Sequence, residues 1–191
     1  MKLAFSFALA ALLTGLGFGQ LGGFAISSKT TLMMTPEVKK ELKITKDQDK
    51  KIKEVMSSLQ KPGSEISMGS FDMSNPMGFL DYNIVPILDE TQLKRLTELY
   101  LQANTGFVIM EEPYAKALGL TDQLVEELLS ERKSAADEIM MQMSQVRNNG
   151  DKKKLDEKRK ASAQALLGKL NKNQLSLYQT MLGKPFKFKN I

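Results

Sequence analysis

The sequence contains no cysteine, no histidine and no tryptophan. The absence of cysteine excludes disulfides, thiol chemistry and a lipid-attachment cysteine, so burial or oligomerisation must hold the fold together. Together with the absence of histidine and of a G-x-S-x-G motif, it also removes the usual nucleophile–base pairs. A G-K-[S/T] phosphate-binding loop is missing as well. The sequence therefore predicts a protein that is not an enzyme and that carries no cofactor.

Aromatic residues are scarce, at 7% of the chain. A core must then be built mainly from Leu, Ile, Met and Ala, which suits helices packed on helices better than a β-sandwich. The net charge of +5 is mild, and it lacks the concentrated basic patch with interleaved aromatics that is typical of nucleic-acid binding. We predict an all-α fold of helical hairpins and no nucleic-acid partner.

The segment 1–19 has the layout of a secretory signal peptide. Lys2 is followed by an uncharged run rich in Ala, Leu and Phe, and Gly17 and Gly19 occupy the −3 and −1 positions of a cleavage site. A second site after Ala25 is an alternative, and an uncleaved membrane anchor is less favoured because the run is short for a span. The expected location is periplasmic or secreted, without stable membrane insertion after cleavage.

Apolar residues recur at helical spacing along most of the remaining chain. The predicted helices cover residues 37–42, 46–60, 89–110, 113–118, 122–147, 151–168 and 172–182. Gly and Ser are frequent in residues 20–33, which are predicted to form a mobile lead-in, and a Met- and Gly-rich loop is predicted for 64–78. Residues 184–191 form a tail in which apolar and basic side chains alternate.

One motif recurs at four of the predicted helix starts: an apolar residue, a helix N-cap, two further residues and then Gln. The cap oxygen accepts a hydrogen bond from the first turn, and the Gln reaches back to the backbone N–H of the cap. In the third copy Leu124 replaces the Gln, which lies one position earlier. Helix capping is the favoured interpretation, and a recognition surface is the alternative. The motif residues are Thr45, Gln48, Asp89, Gln92, Thr121, Asn171 and Gln174.

The four copies also form two pairs. The interval from Thr45 to Thr121 nearly equals the interval from Leu88 to Leu170, and the second is slightly longer. Each first copy follows a short helix that opens near a proline, Pro36 or Pro113. The spacing predicts a tandem duplication, with one repeat at 34–110 and a second at 111–183.

Repeated L-T-x-x-Q motifs behind a signal peptide resemble those of the Spy/CpxP family of periplasmic proteins. The resemblance implies an all-helical, often dimeric protein that acts as an ATP-independent chaperone or as a regulator of envelope-stress sensor kinases. Its implied partners are unfolded clients or an envelope sensor, with a homodimer left open. The tandem arrangement departs from this pattern, since it suggests that a single chain supplies what two subunits usually supply. The lack of histidine argues against nickel or zinc sensing.

Methionine is unusually frequent, with 12 residues in the chain. Met68, Met73 and Met77 lie in the predicted loop, where an adaptable binding segment is favoured and Cu(I) binding is the alternative, because thioethers are soft ligands. Met140 and Met143 lie on the long helix. Core packing is the favoured interpretation for these two, with partner binding as the alternative.

The hairpin of 122–147 and 151–168 supplies the other candidate partner-binding residues. The apolar stripe of its second helix, which includes Leu155 and Leu166, is weak. The hairpin is therefore expected to bind a partner through its surface. In the tail, packing of Phe186 and Phe188 on the body is the favoured interpretation, and a short strand or a client-binding segment is the alternative. The basic cluster of 152–160 is interpreted as a solvated helix face, with contact to an acidic client or an anionic membrane as the alternative.

Overall fold

The computed structural model describes residues 28–60, 76–146 and 149–188. Every regular element in these residues is a helix, which confirms the predicted all-α class. Two 3₁₀ turns lie at Val85–Ile87 and Thr105–Val108. The α-helices are α1 Lys29–Met33, α2 Pro36–Glu41, α3 Lys46–Gln60, α4 Pro76–Ile84, α5 Glu90–Asn104, α6 Glu112–Ala117, α7 Asp122–Met143, α8 Asn149–Gly168 and α9 Lys172–Met181.

The described chain divides into two compact units, and the division falls within α5, after Tyr100. We call residues 28–100 with Phe188 the first unit and residues 101–187 the second unit. The predicted boundary between the tandem repeats lay ten residues later, at 110/111. The duplication itself stays a prediction.

The core of the first unit is formed where α1 packs on α2 and α4 and where α3 packs on α4 and on the 3₁₀ turn that follows it. Its centre consists of side chains that are fully buried: Leu32, Met33, Val38, Ile52, Ile84, Leu96 and Leu99. Burial of such side chains is the main stabilising contribution that a chain without disulfides can make.

The predicted mobile lead-in is wrong for its last residues, because α1 is an ordered helix. Ser28 caps α1 by accepting a hydrogen bond from the N–H of Thr31 at 2.9 Å. Asp81 on α4 accepts two more, from the N–H groups of Lys29 (3.1 Å) and Thr30 (2.8 Å). These bonds satisfy donors that a helix N-terminus leaves unpaired. The carboxylate that holds this segment is far away in sequence, so local composition gave no sign of it.

The predicted loop at 64–78 ends earlier than expected. Pro76 opens α4 at the first helical position, where its missing N–H costs no hydrogen bond. Residues 20–27 and the rest of the predicted loop, up to residue 75, lie outside the described residues.

The second unit is built around an antiparallel hairpin of α7 and α8. Leu128 and Ile139 on α7 and Leu155 and Leu166 on α8 are buried. The 3₁₀ turn after α5 packs on α8 so closely that a Cβ added to Gly106 would lie 2.5 Å from the Ala163 carbonyl oxygen. The helix predicted for 89–110 ends earlier than expected, at Asn104, where this turn begins.

Candidate functional site

Two capping glutamines meet in the first unit. Gln48 and Gln92 each accept a hydrogen bond from the N–H of their own cap residue, Thr45 or Asp89, at 3.0 Å. The cap side chains accept in return from Gln48 N (3.2 Å) and Gln92 N (2.8 Å). Both motif copies therefore form complete capping boxes.

The two side-chain amides also bind each other. Gln48 Nε2 donates to Gln92 Oε1 at 2.6 Å, and Gln92 Nε2 donates to Gln48 Oε1 at 3.0 Å. The second N–H of each amide reaches a backbone carbonyl, that of Ile87 (3.1 Å) for Gln48 and that of Leu42 (3.0 Å) for Gln92. Each amide thus uses two donor and two acceptor positions, which is its full capacity. Gln92 is buried and Gln48 is half-buried. The pair therefore joins two helix starts inside the unit and does not form a recognition surface.

The second unit carries a reduced version of the motif. Thr121 caps α7 by accepting from Leu124 N at 3.3 Å. Asn171 and Gln174 form a complete capping box at the start of α9. Gln174 Nε2 donates to the carbonyl of Gly119 at 3.3 Å. Because Leu124 stands where a second glutamine would be, no paired amides form at this corner.

The outer side of α7 carries large apolar side chains that face solvent. Leu129 is 46% exposed, Met140 63% and Met141 65%. The positions of Leu129 and Met140 place them about 20° apart around the helix and about 16 Å apart along it. Glu126, Asp137 and other exposed polar residues flank them. Met141 lies about 100° further around the helix than Met140. We call Leu129, Met140 and Met141 the outer face of α7.

The hairpin does not present all of the residues predicted to bind partners. Leu155 and Leu166 are buried, so the expectation that they form an open partner-binding surface is wrong: α7 already covers them. Core packing is wrong for Met140, which is exposed, and Met143 is half-buried. The apolar spacing along this helix assigns Leu128 to the buried side, as the structure has it, and Leu129 then points outward as an exposed leucine that no sequence motif marks.

Ion pairs join the two helices of the hairpin. Glu138 contacts Lys158 at 2.5 Å and Glu131 contacts Lys169 at 2.7 Å. The hydrogen bond that Lys169 donates to Glu131 raises the pKa of Lys169 above its usual value of 10.5. Glu131 and Glu138 also line a shallow groove of about 190 Å³, together with Ser134, Ala135, Ser162, Ala165 and Leu166. The groove is small and open, unlike the enclosed and mostly apolar pockets that bind small molecules.

The basic cluster on α8 is solvated in large part. Lys152, Lys153, Lys154 and Lys160 are exposed, as the favoured interpretation predicts. Arg159 is half-buried, and burial lowers the pKa of its guanidinium from the usual 12.5.

The end of the second unit is held by the side chain of Gln102. Gln102 Nε2 donates to the carbonyls of Leu182 (2.5 Å) and Lys184 (2.9 Å), and Gln102 Oε1 accepts from the N–H of Phe186 at 2.8 Å. Phe186 and Phe188 are both half-buried. Since the contacts join distant parts of the sequence and involve backbone atoms, no sequence pattern marks them.

The described structure does not test the candidate copper ligands. Met68 and Met73 lie outside the described residues, and Met77 belongs to α4, where its side chain is not among those described. In the part of the chain that the structure describes, no group of three or more acidic residues could hold a metal ion. Copper binding stays a prediction, which calorimetric titration with Cu(I) would test.

Comparison with known proteins gives no match: no family model matches the sequence, and neither a curated protein nor a solved structure matches it. The resemblance to the Spy/CpxP family therefore stays a prediction based on the motif. Among residues 28–60, 76–146 and 149–188, the helices lack the combination of length and apolar character required to cross a bilayer.

Proposed function

We propose that the protein is an exported, non-enzymatic binding protein that holds unfolded or partly folded polypeptides without nucleotide, in the manner of an ATP-independent chaperone. The observation that carries this proposal is the outer face of α7. Two of its three large side chains are more than half exposed, although Leu128 and Ile139 on the same helix are buried in the hairpin.

The chemistry of this face fits clients of varied sequence. Methionine has a flexible, polarisable side chain that adapts to different apolar partners. Each side chain that a client covers is removed from water, which contributes roughly 25 cal/mol per Å² of apolar surface. The polar residues around the face favour its solubility when it is empty. The proposed location is the periplasm or the exterior, where nucleotide-driven chaperones lack ATP.

The proposal is tested by the light scattering of an aggregating, chemically unfolded client in the absence of nucleotide. We expect the protein to suppress scattering at a several-fold excess. The double substitution Met140→Gln and Met141→Gln keeps good helix formers on α7 and should remove most of the suppression. Leu177→Gln is the matched control, because Leu177 is an exposed leucine of the same unit on a different helix.

Unchanged scattering with the wild-type protein would contradict the proposal. Equal suppression by the wild type and the double variant would show that clients bind elsewhere on the molecule. Circular dichroism of both variants checks that the helices are retained.

A further inference from the structure

The contact between Gln102 and the tail resembles peptide recognition. We define the tail segment as residues 184–188, which follow α9 and contain no regular secondary structure. One amide binds the carbonyl of Lys184 and the N–H of Phe186, which flank Pro185. A carbonyl and an N–H that flank a single residue are the groups that a neighbouring strand bonds in a β-ladder.

The side chains of the tail segment contribute unequally to this contact. Lys184, Pro185 and Lys187 are exposed, whereas Phe186 and Phe188 are half-buried. Gln102 therefore contacts main-chain atoms that any polypeptide possesses, and Phe186 supplies an aromatic anchor. Main-chain hydrogen bonds combined with one side-chain subsite are the general arrangement by which proteins bind extended peptides.

We propose that Gln102, with the surface that receives Phe186, is a binding site for an extended polypeptide segment carrying an aromatic residue. The tail segment occupies this site within the same molecule and competes with segments supplied by a partner. This site is distinct from the outer face of α7, and the inference does not depend on the proposed function.

The structure provides a means of release. α9 is followed by Gly183, whose φ of 60° is a conformation that glycine adopts without strain, and the chain turns there into the tail segment. The tail segment is held by hydrogen bonds and two half-buried rings at the protein surface, and segments of this kind open at a lower free-energy cost than the core. While attached, it competes at an effective concentration of about millimolar.

The test uses the full-length protein and a fluorescent peptide with the sequence of residues 183–188, followed by fluorescence anisotropy. Phe186→Pro removes both the N–H that donates to Gln102 and the aromatic ring, so it vacates the site. Lys187→Pro is the matched control, because Lys187 is exposed and lies one residue further along. We expect the peptide to bind Phe186→Pro at least about tenfold more tightly than the wild type or Lys187→Pro.

A second change identifies the site. Adding Gln102→Leu to Phe186→Pro should weaken peptide binding by about tenfold or more, since the amide's hydrogen bonds are lost. Met140→Gln with Met141→Gln, combined with Phe186→Pro, should leave peptide binding unchanged.

Two results would overturn the inference: no peptide binding to a folded Phe186→Pro variant, or binding that Gln102→Leu leaves unaltered. Either would mean that the contact serves to finish α9 and nothing more. Circular dichroism and the thermal midpoint establish that each variant is folded.

Discussion

The two units open their helices with the same motif but use it differently. In the first unit the glutamines of both copies, Gln48 and Gln92, bind each other and two backbone carbonyls. In the second unit Leu124 replaces the first glutamine, and Gln174 reaches across to one carbonyl, that of Gly119. The capping role of the motif is local and survives the replacement. The role of joining two helix starts depends on both glutamines.

The backbone before the motif is nearly the same in both units. α2 and α6 have equal lengths, and each is followed by a left-handed residue, Lys43 with φ 52° or Gly119 with φ 62°. A hydrogen bond then closes each turn, from Ile44 N to Lys39 O (3.1 Å) and from Leu120 N to Ala115 O (2.9 Å). The two turns are separated by the same interval as Thr45 and Thr121, as the predicted duplication requires. The two units therefore share the backbone geometry before the motif but differ in the pairing of the motif side chains.

The largest effect is expected from Gln92→Leu. This change leaves Gln48, the carbonyl of Leu42 and the N–H of Asp89 without their partner in a largely buried place. Unpaired buried polar groups cost about 1–3 kcal/mol each, so we expect the free energy of unfolding to fall by roughly 3 kcal/mol. Urea denaturation at neutral pH measures it.

Gln174→Leu is the matched change in the second unit. It removes one capping bond and the bond to Gly119, both at exposed positions, so we expect a loss of about 1 kcal/mol. Equal losses for Gln92→Leu and Gln174→Leu would contradict the distinction between the two units. Hydrogen exchange would locate the loss in α3 and α5 for the first variant and in α9 for the second.

The two residues with left-handed backbone, Lys43 and Gly119, allow a test in opposite directions with smaller expected changes in stability. Gly119→Lys places a side chain in a conformation that costs L-residues about 1 kcal/mol, while no atom lies within 4 Å of the new Cβ. Lys43→Gly makes the opposite change in the first unit and relieves that strain in the folded state. Glycine also raises the backbone entropy of the unfolded chain, which offsets part of the gain in stability. We expect a loss of about 1 kcal/mol for the first and a gain of at most about 0.5 kcal/mol for the second, both by urea denaturation. A loss with Lys43→Gly would show that Lys43 contributes through its side chain.

The sequence alone predicts the helices well but predicts their side-chain partners poorly. The starts of α3, α7 and α9 follow from local signals, namely a cap residue and apolar spacing, and the structure has them at Lys46, Asp122 and Lys172 as expected. Asp81 and Gln102 act on backbone groups far away in the sequence, and periodicity carries no information at that range. Leu129 differs, because the apolar spacing of α7 already assigns Leu128 to the buried side and leaves Leu129 facing outward.

The corner between α2 and α3 of the first unit carries a titrating contact. Asp49 contacts Lys39 and Lys53, each at 2.6 Å, and these hydrogen bonds lower the pKa of its carboxyl below the usual 3.8. At the positions of the second unit that correspond to Lys39 and Asp49 stand Ala115 and Val125, which do not titrate. A carboxyl whose pKa is lower in the folded state than in the unfolded state stabilises the fold above its unfolded pKa, and the contribution disappears as pH falls through the folded pKa.

The smallest expected effect is therefore a dependence on pH at this corner. We expect Asp49→Asn to destabilise the protein by about 0.5 kcal/mol at about pH 7, a typical magnitude for an ion pair at the protein surface. The loss should become progressively smaller below about pH 4. Glu54→Gln is the control on the same helix, since Glu54 contacts Lys50 at 3.9 Å and both side chains are mostly exposed. The measurement is the urea midpoint of the wild type, Asp49→Asn and Glu54→Gln from neutral to acidic pH, which gives the loss of stability of each variant at each pH. A gap between wild type and Asp49→Asn that stays constant with pH would mean that Asp49 acts through packing rather than through its charge.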